Sequence, residues 1–196
     1  MNAYCMWDSD GIAFPFTEKF SEFVGWPEGE WSSWSEYKSY GWTTDEFLAK
    51  LKEFTDGGGF RHADPYEDFV PAFQTLVDLG VIPIVVTDKM TDKGVADNAA
   101  WLRDIGCEPE RIIKSKDKTD ILSHVAPGDV VFGVDDNIDH VESMIGAGIL
   151  AAVRDRPWNV VATHLPRVHD LRDFASEVSQ DWSAAQWLQE FTSRLS

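Results

Sequence analysis

Short apolar runs alternate with amphipathic stretches along the chain from residue 66 onward. Runs with the length of buried strands stand at 81–86, 111–113, 130–134 and 149–153, and the last of these is expected to be the final strand. Apolar residues recur with helical spacing at 66–80, 93–105, 119–125 and 138–147. Strands that alternate with helices form parallel sheets through right-handed crossovers. The sequence therefore predicts an α/β fold, with a Rossmann-like parallel sheet covered by helices on both faces.

The segment 14–65 departs from this alternation. It contains four tryptophans, Trp26, Trp31, Trp34 and Trp42. A helical stretch follows at 44–54, and the triple glycine 57–59 provides a candidate hinge. We interpret 14–65 as a small, mainly helical cap inserted after the first strand, and we expect most of its tryptophans to form its own core. The predicted catalytic core then consists of residues 1–13 and 66–196.

Two carboxylates follow the first predicted strand directly. Asp8 and Asp10 stand after the apolar run 3–7, and Gly11 comes next. Side chains alternate between the faces of a strand, so both carboxylates reach one ligand only if the strand ends here and Gly11 lets the chain turn. An Asx turn that caps the strand explains such a pair about as well when it occurs alone. Similar polar residues at other strand ends favour a functional site.

Polar residues also follow the other predicted strands. They are Thr87 and Asp88 after the second strand, Lys114, Lys116 and Lys118 after the third, and Asp135 and Asp136 after the fourth. The carboxyl ends of parallel strands share one edge of a sheet, where ligands bind. Several carboxylates at one edge repel each other unless a cation or a lysine lies among them. Their oxygen ligands favour Mg²⁺ as the cation.

Carboxylates, a lysine, a hydroxyl and Mg²⁺ together suit phosphoryl transfer. The metal and the lysine neutralise the phosphoryl oxygens, and the hydroxyl helps to hold them. One aspartate attacks phosphorus in line. A second aspartate protonates the leaving oxygen and then activates water against the aspartyl-phosphate.

The order of these elements resembles the four signature motifs of the haloacid dehalogenase (HAD) superfamily of phosphatases. The motifs are the D-S-D-G string, the threonine after the second strand, a lysine, and the final pair of aspartates. The insertion resembles the C1 cap of that superfamily. The strings at 8–16, 116–119, 134–137 and 155–159 are most similar to those of the 5'(3')-deoxyribonucleotidases and their phage and bacterial relatives. The resemblance implies a Mg²⁺-dependent phosphomonoesterase that acts on (deoxy)nucleoside monophosphates.

The resemblance also assigns roles at the phosphate. It implies that Asp8 is the nucleophile and a metal ligand, and that Asp10 is the general acid and base and lends its backbone carbonyl to the metal. Thr87 would bind phosphate. Lys118 would be the signature lysine, with Lys114 and Lys116 as weaker candidates.

The second acidic pair completes the implied metal site. Asp135 would ligate Mg²⁺ directly or nearly so, and Asp136 would act through water or by orienting a partner. At the substrate, Phe16 matches an aromatic position that lines the nucleoside pocket, and Trp42 is a candidate stacking partner. Asp88 departs from the family pattern, and it would oppose a dianionic substrate unless it turned away or paired with Lys89.

Composition limits the partners. A formal net charge of −17 opposes tight binding to long nucleic acid, so a small phosphorylated substrate is expected. No apolar run approaches the roughly 20 residues of a membrane span, and no membrane partner is expected. The two cysteines, Cys5 and Cys107, are expected to be reduced, which favours the cytoplasm.

Other functions remain open on the sequence alone. Within enzymes, the alternatives are a phosphatase of another small ester or of a polynucleotide 3' end. A phospho-receiver domain uses similar groups, but its lysine comes last in the chain and it has no large insertion after the first strand. An acidic mimic of nucleic acid would spread its carboxylates over a surface, whereas here they cluster at strand ends.

Overall fold

The structure is a computed structural model that describes residues 1–27 and 31–193, with side chains described as far as Trp182. The strands are β1 (Ala3–Trp7), β2 (Ile82–Thr87), β3 (Arg111–Lys114), β4 (Val130–Asp135), β5 (Leu150–Arg154) and β6 (Arg167–Val168). The helices are α1 (Phe16–Val24), α2 (Thr44–Asp56), α3 (Phe69–Asp78), α4 (Asp92–Asp104), α5 (Ile138–Gly146) and α6 (Leu171–Ser193). Short 3₁₀ helices occupy Glu36–Lys38, Lys118–His124 and Pro157–Asn159.

The six strands form one parallel sheet in the order β3-β2-β1-β4-β5-β6. The central strand β1 pairs with both β2 and β4, and Trp7 lies opposite Val85 and Val134. The strand order reverses between β1 and β4, and ligands of such sheets bind in the crevice at this point. The predicted Rossmann-like parallel sheet is confirmed.

Both faces of the sheet are covered by helices. On one face, Trp7 packs against Phe69 of α3 and Phe174 of α6, with ring centroids 5.4 and 5.8 Å apart. On the opposite face, Met6 belongs to a separate buried cluster with Met144 of α5. Alternate residues of β1 thus enter different cores, as the period of a strand requires. Burial on both faces explains why β1 is apolar throughout.

One local prediction is wrong. The strand β6 follows β5, which was expected to be the last, and it is held by bonds such as Asp155 N to Val168 O at 2.9 Å. Two residues are too few to show a strand period in the sequence. The short helix predicted at 119–125 is present as the 3₁₀ helix Lys118–His124, which Asp117 caps by accepting from Thr119 N at 2.9 Å.

Helices α1 and α2 lie in the chain between β1 and α3, within the insertion that the sequence predicts. The helix α2 begins with a capping box in which Thr43 and Glu46 bond each other's backbone. The helix α1 was not predicted, and it ends at Gly25, which has a φ of 73°. Aromatic rings join the two helices, since Phe20 lies 5.8 Å from Phe54 between ring centroids. The insertion thus has an aromatic core, while the bounds 14–65 stay a prediction.

Among the helices that the structure describes, none has both the length and the apolar character needed to cross a membrane. Both cysteines, Cys5 and Cys107, are free and buried. Neither lies in a disulfide, as the sequence predicts.

Candidate active site

The site begins where β1 ends. Ala13 N and Phe14 N both donate to Ser9 O, at 2.9 and 2.8 Å, and this closes a tight turn. Gly11 stands in the turn with a φ of 76°, a conformation that L side chains rarely adopt. The turn lets Asp8 and Asp10 line the same cavity, although they are two residues apart.

Lys118 links two strand ends through its ammonium group. Its Nζ donates to Asp8 Oδ1 at 2.7 Å and to Val86 O at 2.6 Å, and it lies 3.6 Å from Asp135 Oδ2. The residue is only 2% exposed. Burial alone would lower the pKa of Lys118, but the carboxylates of Asp8 and Asp135 raise it well above its usual value. The site therefore holds a permanent positive charge between two carboxylates.

The acidic pair at the end of β4 has two different environments. Asp135 accepts from Asn137 N at 2.8 Å and from His140 Nδ1 at 3.1 Å. Burial acts to raise the pKa of Asp135, but Lys118 and His140 outweigh it and hold that pKa below its usual value. Asp136 is buried, and neither of its carboxylate oxygens has a hydrogen-bond partner in the described part of the chain. Burial, with the charges of Asp135 and Asp8, raises the pKa of Asp136 well above its usual value.

This donor set fits a divalent cation. One carboxylate oxygen each from Asp8, Asp135 and Asp136 lies within 4.8 Å of the others. A buried carboxylate without a partner is unfavourable, and a cation would supply the missing partner of Asp136. Burial raises the pKa of Asp8 to about 6, with Lys118 opposing the shift and Asp135 adding to it, so a cation would also favour the charged form of Asp8. Oxygen donors of this kind suit a hard cation such as Mg²⁺.

The Asp10 side chain does not belong to this group of ligands. Its Oδ1 accepts from Lys89 Nζ at 2.7 Å. The proposed metal contact through the Asp10 backbone carbonyl stays a prediction.

The sequence offers Lys89 as a salt-bridge partner for Asp88. The structure pairs Lys89 with Asp10 instead. Its side chain is fully buried and donates to Asp10, while Asp88 is exposed at the cavity. The ammonium also lies 3.6 Å from the centroid of the Phe60 ring. Burial lowers the pKa of Lys89, and the charge of Asp10 opposes this shift. The turn after β2 sends two adjacent side chains in different directions, which residue spacing alone does not predict.

The groups named above surround a cavity of about 230 Å³. Thr87, at the end of β2, lines it beside Asp8 and Lys118, as expected of a phosphate ligand. Phe16 also lines the cavity, where the resemblance places an aromatic residue. Further lining residues from the insertion were not predicted as site residues: Trp34, Phe47, Leu51, Thr55 and Phe60. Their only sequence signal is the aromatic richness of that segment.

The structure does not bring Trp42 to the cavity, so its prediction as a stacking partner is corrected. Its ring packs on Trp26, with centroids 4.6 Å apart, in the core of the insertion. Trp34 lies at the cavity instead, near parallel to Phe16 at 6.2 Å. Its ring is also 5.4 Å from that of Trp158, which follows β5. Trp34 therefore lines the cavity and also contacts the segment after β5, whereas Trp42 does not line the cavity.

Of the three candidate lysines, only Lys118 reaches the site. Lys114 is exposed and binds Asp92 at 2.7 Å. Lys116 is exposed and does not line the cavity. The 3₁₀ helix that begins at Lys118 turns that side chain inward.

The loop after β5 forms hydrogen bonds to the backbone beside the acidic cluster. Arg156 Nε donates to Gly11 O at 2.9 Å, and Asn159 Nδ2 donates to Asp136 O at 2.8 Å. The guanidinium of Arg156 also stacks on Tyr66 at 4.0 Å from the ring centroid. These bonds hold the backbone at Gly11 and Asp136, so the two acidic loops keep their spacing.

No protein-family model matches the sequence, and no curated protein matches it. Solved structures do match the fold. A predicted phosphatase from Clostridium acetobutylicum has 13% identity and a TM-score of 0.64, with 92% of this chain and 99% of that chain covered. A haloacid dehalogenase-like hydrolase from Streptococcus pneumoniae has 13% identity and a TM-score of 0.62, with 90% and 98% covered.

A third match carries a different activity in its name. Protein Tyrosine Kinase A from Mycobacterium tuberculosis has 16% identity and a TM-score of 0.62, with 89% of this chain and 98% of that chain covered. Identities this low describe the fold and leave the reaction to be argued from the site. The chain has the α/β fold of HAD hydrolases, and its buried cluster of three aspartates fits metal-dependent catalysis.

Proposed function

We propose that this protein is a Mg²⁺-dependent phosphomonoesterase of the HAD superfamily and that its substrates are (deoxy)nucleoside monophosphates. One observation carries the proposal. Lys118 lies between Asp8 and Asp135, and the unpartnered oxygens of Asp136 lie within reach of the same point. A buried site that combines a fixed ammonium with an incomplete ring of carboxylates suits a cation and a phosphoryl group bound together.

Different residues would bind the metal ion and the phosphoryl group of such a substrate. Asp8, Asp135 and Asp136 would hold Mg²⁺, which supplies charge neutralisation for the phosphoryl oxygens when it is bound. Lys118 gives a second positive charge beside Asp8. Thr87, which is buried at the cavity, would donate its hydroxyl to a phosphoryl oxygen.

The chemistry then proceeds in two displacements. A carboxylate oxygen of Asp8 bonds to phosphorus while the bond from phosphorus to the ester oxygen breaks, and Asp10 gives its proton to that leaving oxygen. Water next attacks the phosphorus of the aspartyl-phosphate and gives a proton to Asp10. Phosphate leaves, the Asp8 carboxylate is restored, and Asp10 is protonated for the next cycle.

The cavity supports a small substrate with a planar group. Phe16, Trp34 and Phe60 offer aromatic surface beyond the phosphate position, and a base could lie against it. The volume of about 230 Å³ lies below the roughly 300–1,000 Å³ of typical ligand pockets, so it favours a small substrate over a long polymer. We propose that the segment 14–65 acts as a cap that keeps bulk water from the site.

Asp88 favours a second candidate substrate class. Its exposed carboxylate lines the cavity and adds negative charge near the phosphate position. A substrate with a hydroxyl or amino group at this point would tolerate that charge better than a second phosphate would. Small non-nucleotide phosphate esters therefore remain the alternative within the same reaction.

We also propose a cytoplasmic location. The free thiols of Cys5 and Cys107 support it, because both are buried and neither forms a disulfide in this structure. Burial raises the pKa of both thiols, which keeps them unreactive.

A panel of phosphate esters tests the function. Nucleoside 5'- and 3'-monophosphates, small alkyl phosphates and a 3'-phosphorylated oligonucleotide are incubated with Mg²⁺ or with EDTA, and released phosphate is measured. We expect hydrolysis with Mg²⁺, none with EDTA, and the highest kcat/KM for a deoxynucleoside monophosphate. Hydrolysis that persists in EDTA, or no hydrolysis of any ester, would contradict the proposal.

A further inference from the structure

Lys89 is a buried cation that the reaction described above does not use. Its side chain is fully buried at the cavity, and its ammonium donates to Asp10 Oδ1 at 2.7 Å. Lys118 is the lysine that lies between Asp8 and Asp135, so Lys89 is not the cation that pairs with these two carboxylates. A buried charge is unfavourable unless it is paired, and Asp10 is the carboxylate that forms a salt bridge with it.

The ammonium is fixed from two sides. It lies 3.6 Å from the centroid of the Phe60 ring and 5.9 Å from that of Phe14. A cation at these distances is attracted to the ring faces. Phe14 follows the turn that carries Asp10, and Phe60 lies further along the insertion. The position of Lys89 is thus set by Asp10 together with two aromatic rings.

The contact leaves one oxygen of Asp10 for chemistry. Lys89 occupies Oδ1, and Oδ2 has no hydrogen-bond partner among the residues with described side chains. The Asp10 side chain is 22% exposed and lines the cavity. A carboxyl group on a turn can rotate about its side-chain bonds, so a fixed contact to one oxygen selects the direction of the other.

We propose that Lys89 is a positioning residue for Asp10: it holds Oδ1, and thereby directs Oδ2 toward the leaving-group oxygen of the substrate. This inference rests on the proposed function. Among the described residues, Lys89 forms a salt bridge with Asp10 and none with Asp8, Asp135 or Asp136. Its proposed effect is therefore on the steps in which Asp10 delivers or accepts a proton.

Three phosphate esters that share an aromatic ring test whether Lys89 acts through proton delivery by Asp10. They differ in how strongly the leaving group needs a proton. Benzyl phosphate releases an alkoxide that needs a proton, phenyl phosphate is intermediate, and p-nitrophenyl phosphate releases a stable phenolate. The quantity compared is kcat/KM, which includes every step up to departure of the leaving group. For Lys89→Met, we expect a loss of about tenfold to hundredfold with benzyl phosphate and of less than about threefold with p-nitrophenyl phosphate.

Two other outcomes overturn the inference. An equal loss for all three esters would mean that Lys89 acts on the phosphoryl group. No loss for any ester would mean that the pair with Asp10 is only structural. If the wild-type protein hydrolyses neither the nucleoside monophosphates nor any of the three esters, then the proposed function fails first and this inference fails with it.

Matched control variants distinguish a specific effect of Lys89 from a folding defect. Lys93→Met removes a lysine that forms an exposed salt bridge with Asp97, and it should leave all three rates unchanged. Lys89→Gln keeps an N–H donor for Asp10 and serves if the methionine variant does not fold, as judged by thermal unfolding in EDTA. In an Asp10→Asn background, Lys89→Met should produce no further dependence on the leaving group, and a persistent dependence would overturn the inference.

Discussion

A Cβ atom on Gly11 would lie 1.9 Å from Oδ2 of Asp136, so these two residues approach closely only because position 11 has no side chain. Gly11 also has a φ of 76°. Two separate requirements, the backbone conformation and the space for the Asp136 carboxylate, therefore favour glycine in the D-S-D-G string.

Gly11→Ala is expected to disturb both the fold and the metal site. The added methyl group displaces the Asp136 carboxylate, so Mg²⁺ affinity and hydrolysis should fall together. Gly25→Ala is the matched control, because Gly25 has a φ of 73° but open space around its Cβ position. It should lower the free energy of unfolding by about 1–2 kcal/mol, from backbone strain alone. Denaturant unfolding should show a larger loss for Gly11→Ala, and equal losses would contradict the role of Asp136.

Asp8→Asn is expected to abolish turnover and keep the fold. The amide is a poor nucleophile, and its neutral charge removes repulsion with Asp135 and Asp136. Released phosphate should fall to background, while thermal unfolding in EDTA should remain cooperative. Turnover close to that of the wild-type protein would refute the assignment of Asp8 as the nucleophile.

Lys118→Met is expected to lower both activity and stability. Loss of a positive charge at the phosphoryl group should reduce kcat by about 10²-fold or more. Removal of one partner from a buried ion pair typically destabilises a protein by about 3–5 kcal/mol, because the remaining carboxylates lose their partner. Unfolding in EDTA measures this loss.

Lys116→Met is the control for Lys118→Met, because Lys116 is exposed two residues earlier in the chain. Its activity and unfolding should match those of the wild-type protein. If Lys116→Met lowered kcat as much as Lys118→Met, then the placement of the signature lysine at Lys118 would be wrong.

Mg²⁺ is expected to stabilise the folded protein through Asp136. A ligand that binds only the folded state at 100 times its Kd raises the free energy of unfolding by about 2.7 kcal/mol. Asp136→Asn should remove most of this increase, because the unpartnered carboxylate is the group that a cation would neutralise. Asp139→Asn, an exposed change on the same segment, should keep it. Equal Mg²⁺ effects in both variants would contradict a metal site at Asp136.

The strand ends could be predicted because their geometry follows from topology. Once β1, β2 and β4 are parallel neighbours, Asp8, Thr87 and Asp135 must emerge at one edge of the sheet, whatever their distance in sequence. Strand periods and glycine stops identify the strands from the sequence, and the structure supplies their order in the sheet. This reasoning therefore predicts both the sheet and the meeting of the acidic residues.

Side-chain directions beyond the strand ends could not be predicted in the same way. The pairing of Lys89 with Asp10 depends on the turn after β2, and the inward direction of Lys118 depends on a 3₁₀ helix capped by Asp117. Neither follows from a hydrophobic period. The tryptophans of the insertion present the same difficulty, since the path of the segment 31–43 decides that Trp34 lines the cavity and Trp42 does not.

Trp34→Ala is expected to change substrate selectivity, whereas Trp42→Ala is expected to change stability alone. Trp34 lies beside Phe16 at the cavity, so its loss should raise KM for nucleoside monophosphates and leave that for a small alkyl phosphate unchanged. Trp42 packs on Trp26, so its loss should lower the unfolding temperature without changing the ranking of substrates. The measurement is KM for a nucleoside monophosphate and for a small alkyl phosphate in each variant. If Trp42→Ala changed the ranking of these two substrates, or if Trp34→Ala left it unchanged, then the assignment of Trp34 to the substrate site would be wrong. Because both variants remove the same indole from the same segment, the difference between them isolates the contribution of the cavity wall.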